Sequence, residues 1–102
     1  MYNIIWTEKA KSERLQIMNW YELILSNLAQ EFNEQVSKKV NDYVAKYPKI
    51  ARIAHKNIRR LSLDRFPYNL MYIVDDTKKE VRIIAIVHDK RNPKFFQTKS
   101  IE

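Results

Sequence analysis

Two apolar runs, residues 67–74 and 81–88, are separated by only six residues, Asp75 to Glu80, every one of them polar. So short a separation leaves room for a turn and not for a crossover, so the runs are expected to be adjacent strands of one mainly antiparallel sheet. In the first run Tyr68, Leu70, Tyr72 and Val74 alternate against Asn69, Met71 and Ile73. In the second, Val81, Ile83, Ala85 and Val87 alternate against Arg82, Ile84, Ile86 and His88. Both faces are mostly apolar, so the sheet is expected to be covered on one side and partly occupied on the other. A further strand should precede them, beginning near Arg59 and ending at Asp64 or Arg65.

Everything upstream reads as the cover for that sheet. Tyr2 to Trp6 is a short β-like run, and Thr7 follows as an N-cap with Glu8 in the first helical turn. From Glu8 to about Leu25, Leu15, Met18, Tyr21, Leu25 and Leu28 recur at helical spacing, while Ile17, Trp20, Leu23 and Ile24 widen the stripe beyond one face. The surplus has two readings, packing between sheet and second helix, which is favoured, or a partner-binding surface. Ser26 or Asn27 can cap a second helix, with Gln30 at the reciprocal position if Asn27 is the cap. Its buried stripe is expected to be Phe32, Val36, Val40, Tyr43, Val44 and Tyr47, with Glu34, Lys38, Lys39, Asn41, Asp42 and Lys46 in solvent. Pro48 stops the helix. The short link makes the pair an antiparallel hairpin. Residues 49–57 are left as loop, helical turn or lead into the sheet.

Composition narrows the chemistry. At 102 residues the chain is expected to be one domain, residues 1–102, burying roughly two-thirds of its unfolded surface. There is no cysteine, which removes disulfides, thiol catalysis and cysteine zinc sites. Only His55 and His88 remain as imidazoles, in separate segments, so no metal site and no cofactor is expected. There is no glycine, where about seven would be usual, so phosphate-cradling glycine loops are excluded. No apolar run approaches the ~18 residues of a membrane span, and the start has no signal-peptide core; the cytoplasm is the default address. Nineteen Lys and Arg against twelve Asp and Glu give +7. That balance favours polyanions or an acidic protein, with plain solubility as the simpler reading.

One group of residues carries a family likeness: Arg60-Leu61, then Phe66-Pro67-Tyr68-Asn69-Leu70-Met71-Tyr72, a turn, Val81 to Val87, and His88-Asp89-Lys90-Arg91-Asn92-Pro93. This order resembles the C-terminal signature of the ParE/RelE superfamily of bacterial toxins, in its ParE-like, plasmid-stabilisation branch. There an arginine-rich strand precedes FPYxLxY and an apolar strand closing in H-x-x-R-x-P. Members often carry a Pro-x-x-Gly connection near Pro48; here the glycine is missing. The resemblance implies an α+β fold, β-α-α-β-β-β, with a helical hairpin on one face of a small mainly antiparallel sheet.

It also implies a function, the toxin half of a type II toxin–antitoxin pair. A small acidic antitoxin would lay a helix or strand over an apolar and basic surface, with Ile17, Trp20 and Ile24 as its contacts and a heterotetramer as one assembly. The target would be DNA gyrase, inhibited by binding through Arg60, Arg65, Tyr68, Lys90 and Arg91. The alternative is a ribosome-dependent mRNA endoribonuclease, in which His88 and Arg91 would be catalytic. Matched to RelE-type nucleases, the strand arginine falls on Asn69 and the C-terminal tyrosine on Phe95 or Phe96, so only Arg91 keeps a counterpart. A third reading is a non-toxic nucleic-acid-binding module. From the residues themselves, Tyr68 and Tyr72 are favoured as packing residues over base-stacking platforms, and His88 as a hydrogen-bonded structural histidine over a proton-transfer group.

Overall fold

The computed structural model describes residues 1–89. Its elements are β1 (Asn3–Trp6), α1 (Glu8–Ile24), α2 (Ser26–Lys39), a π-helical turn (Val40–Val44), β2 (Ile53–His55), β3 (Ile58–Ser62), β4 (Tyr68–Asp75) and β5 (Glu80–His88). The sheet has five strands in the order β1-β5-β4-β3-β2. Only β1 and β5 run parallel; every other pair is antiparallel. The α+β arrangement expected from sequence is therefore present. The segment left open, residues 49–57, supplies the additional edge strand β2, hairpinned to β3. β3 stops at Ser62, short of Asp64 or Arg65.

The helices begin and end for local reasons. Thr7 caps α1, its hydroxyl oxygen accepting from the Ala10 N–H at 3.2 Å while its own O–H donates to the Ile83 carbonyl at 3.1 Å. One residue thus ends β1, starts α1 and ties both to β5. Neither Ser26 nor Asn27 caps α2. The cap is Leu25, an extended residue with no side-chain hydrogen bond, and it alone links the two helices. At its far end α2 widens into the π-helical turn, closed by the Ala45 N–H on the Val40 carbonyl at 2.8 Å. The extra residue in that turn brings Val44 and Ala45 inward after Val40. Tyr43 and Tyr47, expected in the stripe, are turned to the surface. Lys39, expected in solvent, is buried, with its ammonium 2.8 Å from Asp64 and 5.0 Å from the Tyr43 ring centre.

The helix side of the sheet holds the main core, in which Ala10, Ile17, Phe32, Val36, Val40 and Val44 pack on Leu70, Tyr72, Val81 and Ile83. Tyr72 is fully buried, and its hydroxyl is satisfied by the Pro48 carbonyl at 2.6 Å. Burial raises that phenol's pKa above the ordinary value, against the smaller opposing pull of Arg59. Arg59 in turn donates to the Ala51 carbonyl at 2.6 Å, so the chain leaving α2 is held by side chains of β3 and β4.

The β4–β5 register departs from strict alternation. Met71 pairs with Ala85, but Tyr72 pairs with Ile83, leaving Ile84 as an extra residue on β5. Beyond this bulge every side chain of β5 changes face. Val81 and Ile83 point to the helices, as do Ile86 and His88; Arg82, Ile84, Ala85 and Val87 belong to the other face. The uninterrupted alternation assigned to residues 81–88 is corrected here.

Candidate functional site

The bulge separates the residues that sequence had grouped. Arg60 is opposite Met71 and Arg82 is opposite Ile73, so both arginines emerge on the face away from the helices. Between them lies a second apolar cluster of buried residues, Ile58, Met71, Ala85 and Val87, with Ile73 and Ile84 against it; its described members are all strand residues. Arg60 is half-buried and Arg82 exposed, its guanidinium 4.0 Å from Glu80. Asn69 is buried on the same face and donates its amide N–H to the Asp89 carboxylate, which draws the end of β5 towards this side.

His88 is on the opposite face. It pairs with Tyr68, and the two rings meet edge to face with centroids 5.1 Å apart. Tyr68 also contacts Phe32 at 5.8 Å and Tyr21 at 6.4 Å. Phe66 is buried beside them, 5.2 Å from Tyr21 and 5.4 Å from Phe32. Burial first, and then the neighbouring Tyr68 phenol, holds Tyr21 above the ordinary tyrosine range. These rings knit α1, α2 and β4 together. Arg65 stands on the exposed loop between β3 and β4, 5.9 Å from the Phe66 ring centre and 3.5 Å from Glu31. The loop is anchored from below by the Lys39 and Asp64 pair.

Among the expected target residues, then, Arg60 is on the open face, Arg65 on a loop, and Tyr68 in an aromatic layer on the helix side. Lys90 and Arg91 lie outside the described residues, as do Phe95 and Phe96. Of the expected antitoxin contacts, Ile17 is buried in the core. Trp20 and Ile24 are more than half exposed, and with Leu23 and Leu25 they make an apolar tip to the helical hairpin. Arg82 was not among the target contacts expected from sequence, since the bulge that sets its face relative to His88 leaves no mark in the residue pattern. Among the described residues no group of His, Asp or Glu gathers as metal ligands, and no helix is long and apolar enough to cross a membrane.

A domain of this kind, two helices on one face of a five-stranded sheet, recurs in solved toxin structures. The chromosomal ParDE toxin–antitoxin system from P. aeruginosa superposes with a TM-score of 0.72 at 24% identity, covering 86% of this chain and 96% of that one. The isolated E. coli RelE toxin gives 0.65 at 23% identity over the whole of both chains. The intact E. coli RelBE toxin–antitoxin complex gives 0.64 at 23% identity, covering 86% and 96%. No curated protein matches the sequence. The family described as the ParE toxin of the type II toxin–antitoxin system parDE matches residues 4–93. The chain belongs to the ParE toxin family.

Proposed function

We propose that this chain is a toxin that inhibits DNA gyrase by binding and is neutralised by a small acidic antitoxin. The observation that carries the choice of binding over cleavage is the division of polar groups between the two faces of the sheet. Metal-free RNA cleavage needs a proton-transfer group and cations converging on one phosphate. Here the His88 imidazole lies edge-on to Tyr68 on the helix side, while Arg60 and Arg82 leave from the other. Asn69, at the position matched to the RelE strand arginine, is spent on Asp89. Two guanidiniums on the face opposite to the His88 imidazole suit contact with a protein surface better than they suit acid–base chemistry. An antitoxin partner is supported by the ParDE and RelBE neighbours, both of which are two-component systems.

The test is gyrase supercoiling beside mRNA cleavage in a translating extract, with wild type, His88→Gln and Arg60→Glu at matched folded concentration. His88→Gln should leave supercoiling inhibition within about twofold, and Arg60→Glu should weaken it by roughly tenfold or more. Translation-dependent cuts that disappear in His88→Gln, with supercoiling untouched in every sample, would reverse the assignment and make the chain a nuclease.

A further inference from the structure

Exposed large apolar side chains gather in two places, and the two carry opposite charge. The hairpin tip displays Trp20, Leu23, Ile24 and Leu25. Residues 15–37, which build it, contain Glu22, Glu31 and Glu34 and no lysine or arginine. The second place follows the π-helical turn, where Tyr47 is 62% exposed and Ile50 and Ile53 are each 56% exposed. Residues 43–56 contain Lys46, Lys49, Arg52 and Lys56 and no acidic residue. All four are exposed. Tyr2, Tyr47, Pro48, Lys49 and Ile50 line an open groove of about 600 Å³ there. Among the described residues, the carboxylate bonded to its lining, Asp76, is taken up by Lys49 at 2.8 Å and by the Tyr2 hydroxyl at 2.6 Å.

The floor of the groove is rigid. Pro48 and Ala51 are buried, and their carbonyls accept from Tyr72 and Arg59. An apolar trough with a fixed backbone and a lysine and arginine rim is a site for an anchor side chain on an acidic chain. The hairpin tip is apolar too, but its own glutamates would repel such a chain. Pro48 and Ile50 give the groove an aliphatic wall suited to an anchor side chain on a peptide, and base stacking on Tyr2 or Tyr47 is the rival occupancy that oligonucleotide binding tests.

We propose that the groove lined by Tyr47, Pro48, Lys49 and Ile50 is the docking site for an acidic peptide segment bearing an apolar anchor, contributed by the antitoxin. The inference rests on the toxin–antitoxin reading and deepens it, because it moves the charged part of the partner away from the hairpin tip. The tip is left to a neutral apolar stretch.

The experiment uses the full chain and, as probe, the acidic product of a short reading frame sought beside its gene, with association and dissociation rates measured at low and high salt. Tyr47→Ser with Ile50→Ser should weaken affinity by about 100-fold at unchanged melting temperature, since both side chains are largely exposed. Lys46→Glu with Arg52→Glu should slow association by at least about tenfold and flatten its salt dependence. If both double variants bind like wild type, the groove is not the site, and the toxin–antitoxin reading survives. If wild type does not bind the acidic product at all, the groove proposal and that reading fall together. Two other occupants would also overturn the proposal. Self-association of the chain alone that the groove variants abolish would make a second copy the ligand. Oligonucleotide binding lost with the charge pair but kept with the Tyr47 and Ile50 pair would make it a nucleic acid.

Discussion

The two faces of the sheet are built from the same strands and from almost the same residue types, yet among the described residues only one is covered by helices. On the helix side Leu70, Tyr72, Val81 and Ile83 meet Phe32, Val36, Val40 and Val44. On the other, Met71, Ala85 and Ile58 are buried in a cluster whose described members are all strand residues, with Arg60 and Arg82 on the same face. What separates the faces is a single residue, Ile84, inserted opposite the step from Met71 to Tyr72. The lesson is that the polar geography of the protein is decided by register, which hydrophobic content alone does not specify.

The severest way to break the contrast is to put a charge on each face in turn. Ile83→Asp would bury an unpaired carboxylate against the helices, and urea unfolding should show a loss of about 4 kcal/mol or more, or no folded protein. Arg82→Asp, one residue earlier and exposed on the other face, should change stability by less than about 1 kcal/mol. A folded Ile83→Asp variant of wild-type stability would mean that the two faces are interchangeable.

A paired truncation sharpens the comparison at lower cost to the fold. Leu70→Ala, on the covered face and fully buried, should lower unfolding free energy by about 2–5 kcal/mol. Ile73→Ala, on the other face and half-buried, should lower it by about 1 kcal/mol, because less surface leaves water. Equal losses would show that Ile73 is packed as tightly as Leu70.

Smaller still is the effect of the one phenol at the bottom of the covered face. Tyr72→Phe leaves the Pro48 carbonyl without its donor and should cost about 1–2 kcal/mol in the same assay. A neutral outcome would mean that residues 48–51 are held by Arg59 alone.

The smallest effect belongs to the sheet's far end, where Asp76 joins β1 to the turn before β5. Hydrogen bonds from Lys49 and then Tyr2 hold its carboxyl below the ordinary 3.8. Its folded pKa is the lower one, so its stabilisation is complete above the ordinary value and is lost as pH falls through the depressed one. Carboxyl carbon shifts should place its midpoint below the ordinary aspartate value, and Lys49→Met should raise it. A midpoint that Lys49→Met leaves unmoved would remove the contact.

The sequence was readable where local rules act alone. Thr7 before Glu8, the Phe32, Val36 and Val40 spacing, and the polar turn at 75–80 each announce their element, because capping, helical period and turn chemistry involve neighbours in the chain. The likeness to the ParE/RelE signature then supplied the connectivity. Tyr43 and Tyr47 were misassigned because a π-turn changes the period without altering composition. Lys39 was misassigned because its partner, Asp64, is twenty-five residues away. The functional face was the least readable part. His88, Arg60 and Arg65 are close in sequence order, but a bulge and a loop send them in three directions.

One earlier contact bears on how the protein behaves in a crowded solution. β1 ends at Trp6, opposite Ile83, so among the described residues no strand pairs with the outer edge of the rest of β5. Into that gap α1 lowers Glu13, whose carboxylate accepts the Ile86 N–H at 2.9 Å while Lys9 balances its charge at 2.8 Å. An open edge of consecutive apolar residues is where a stray strand would add itself and where fibres begin. The glutamate occupies an amide that such a strand would need and puts a negative charge in its path, so half of β5 is quarantined without a sixth strand being built.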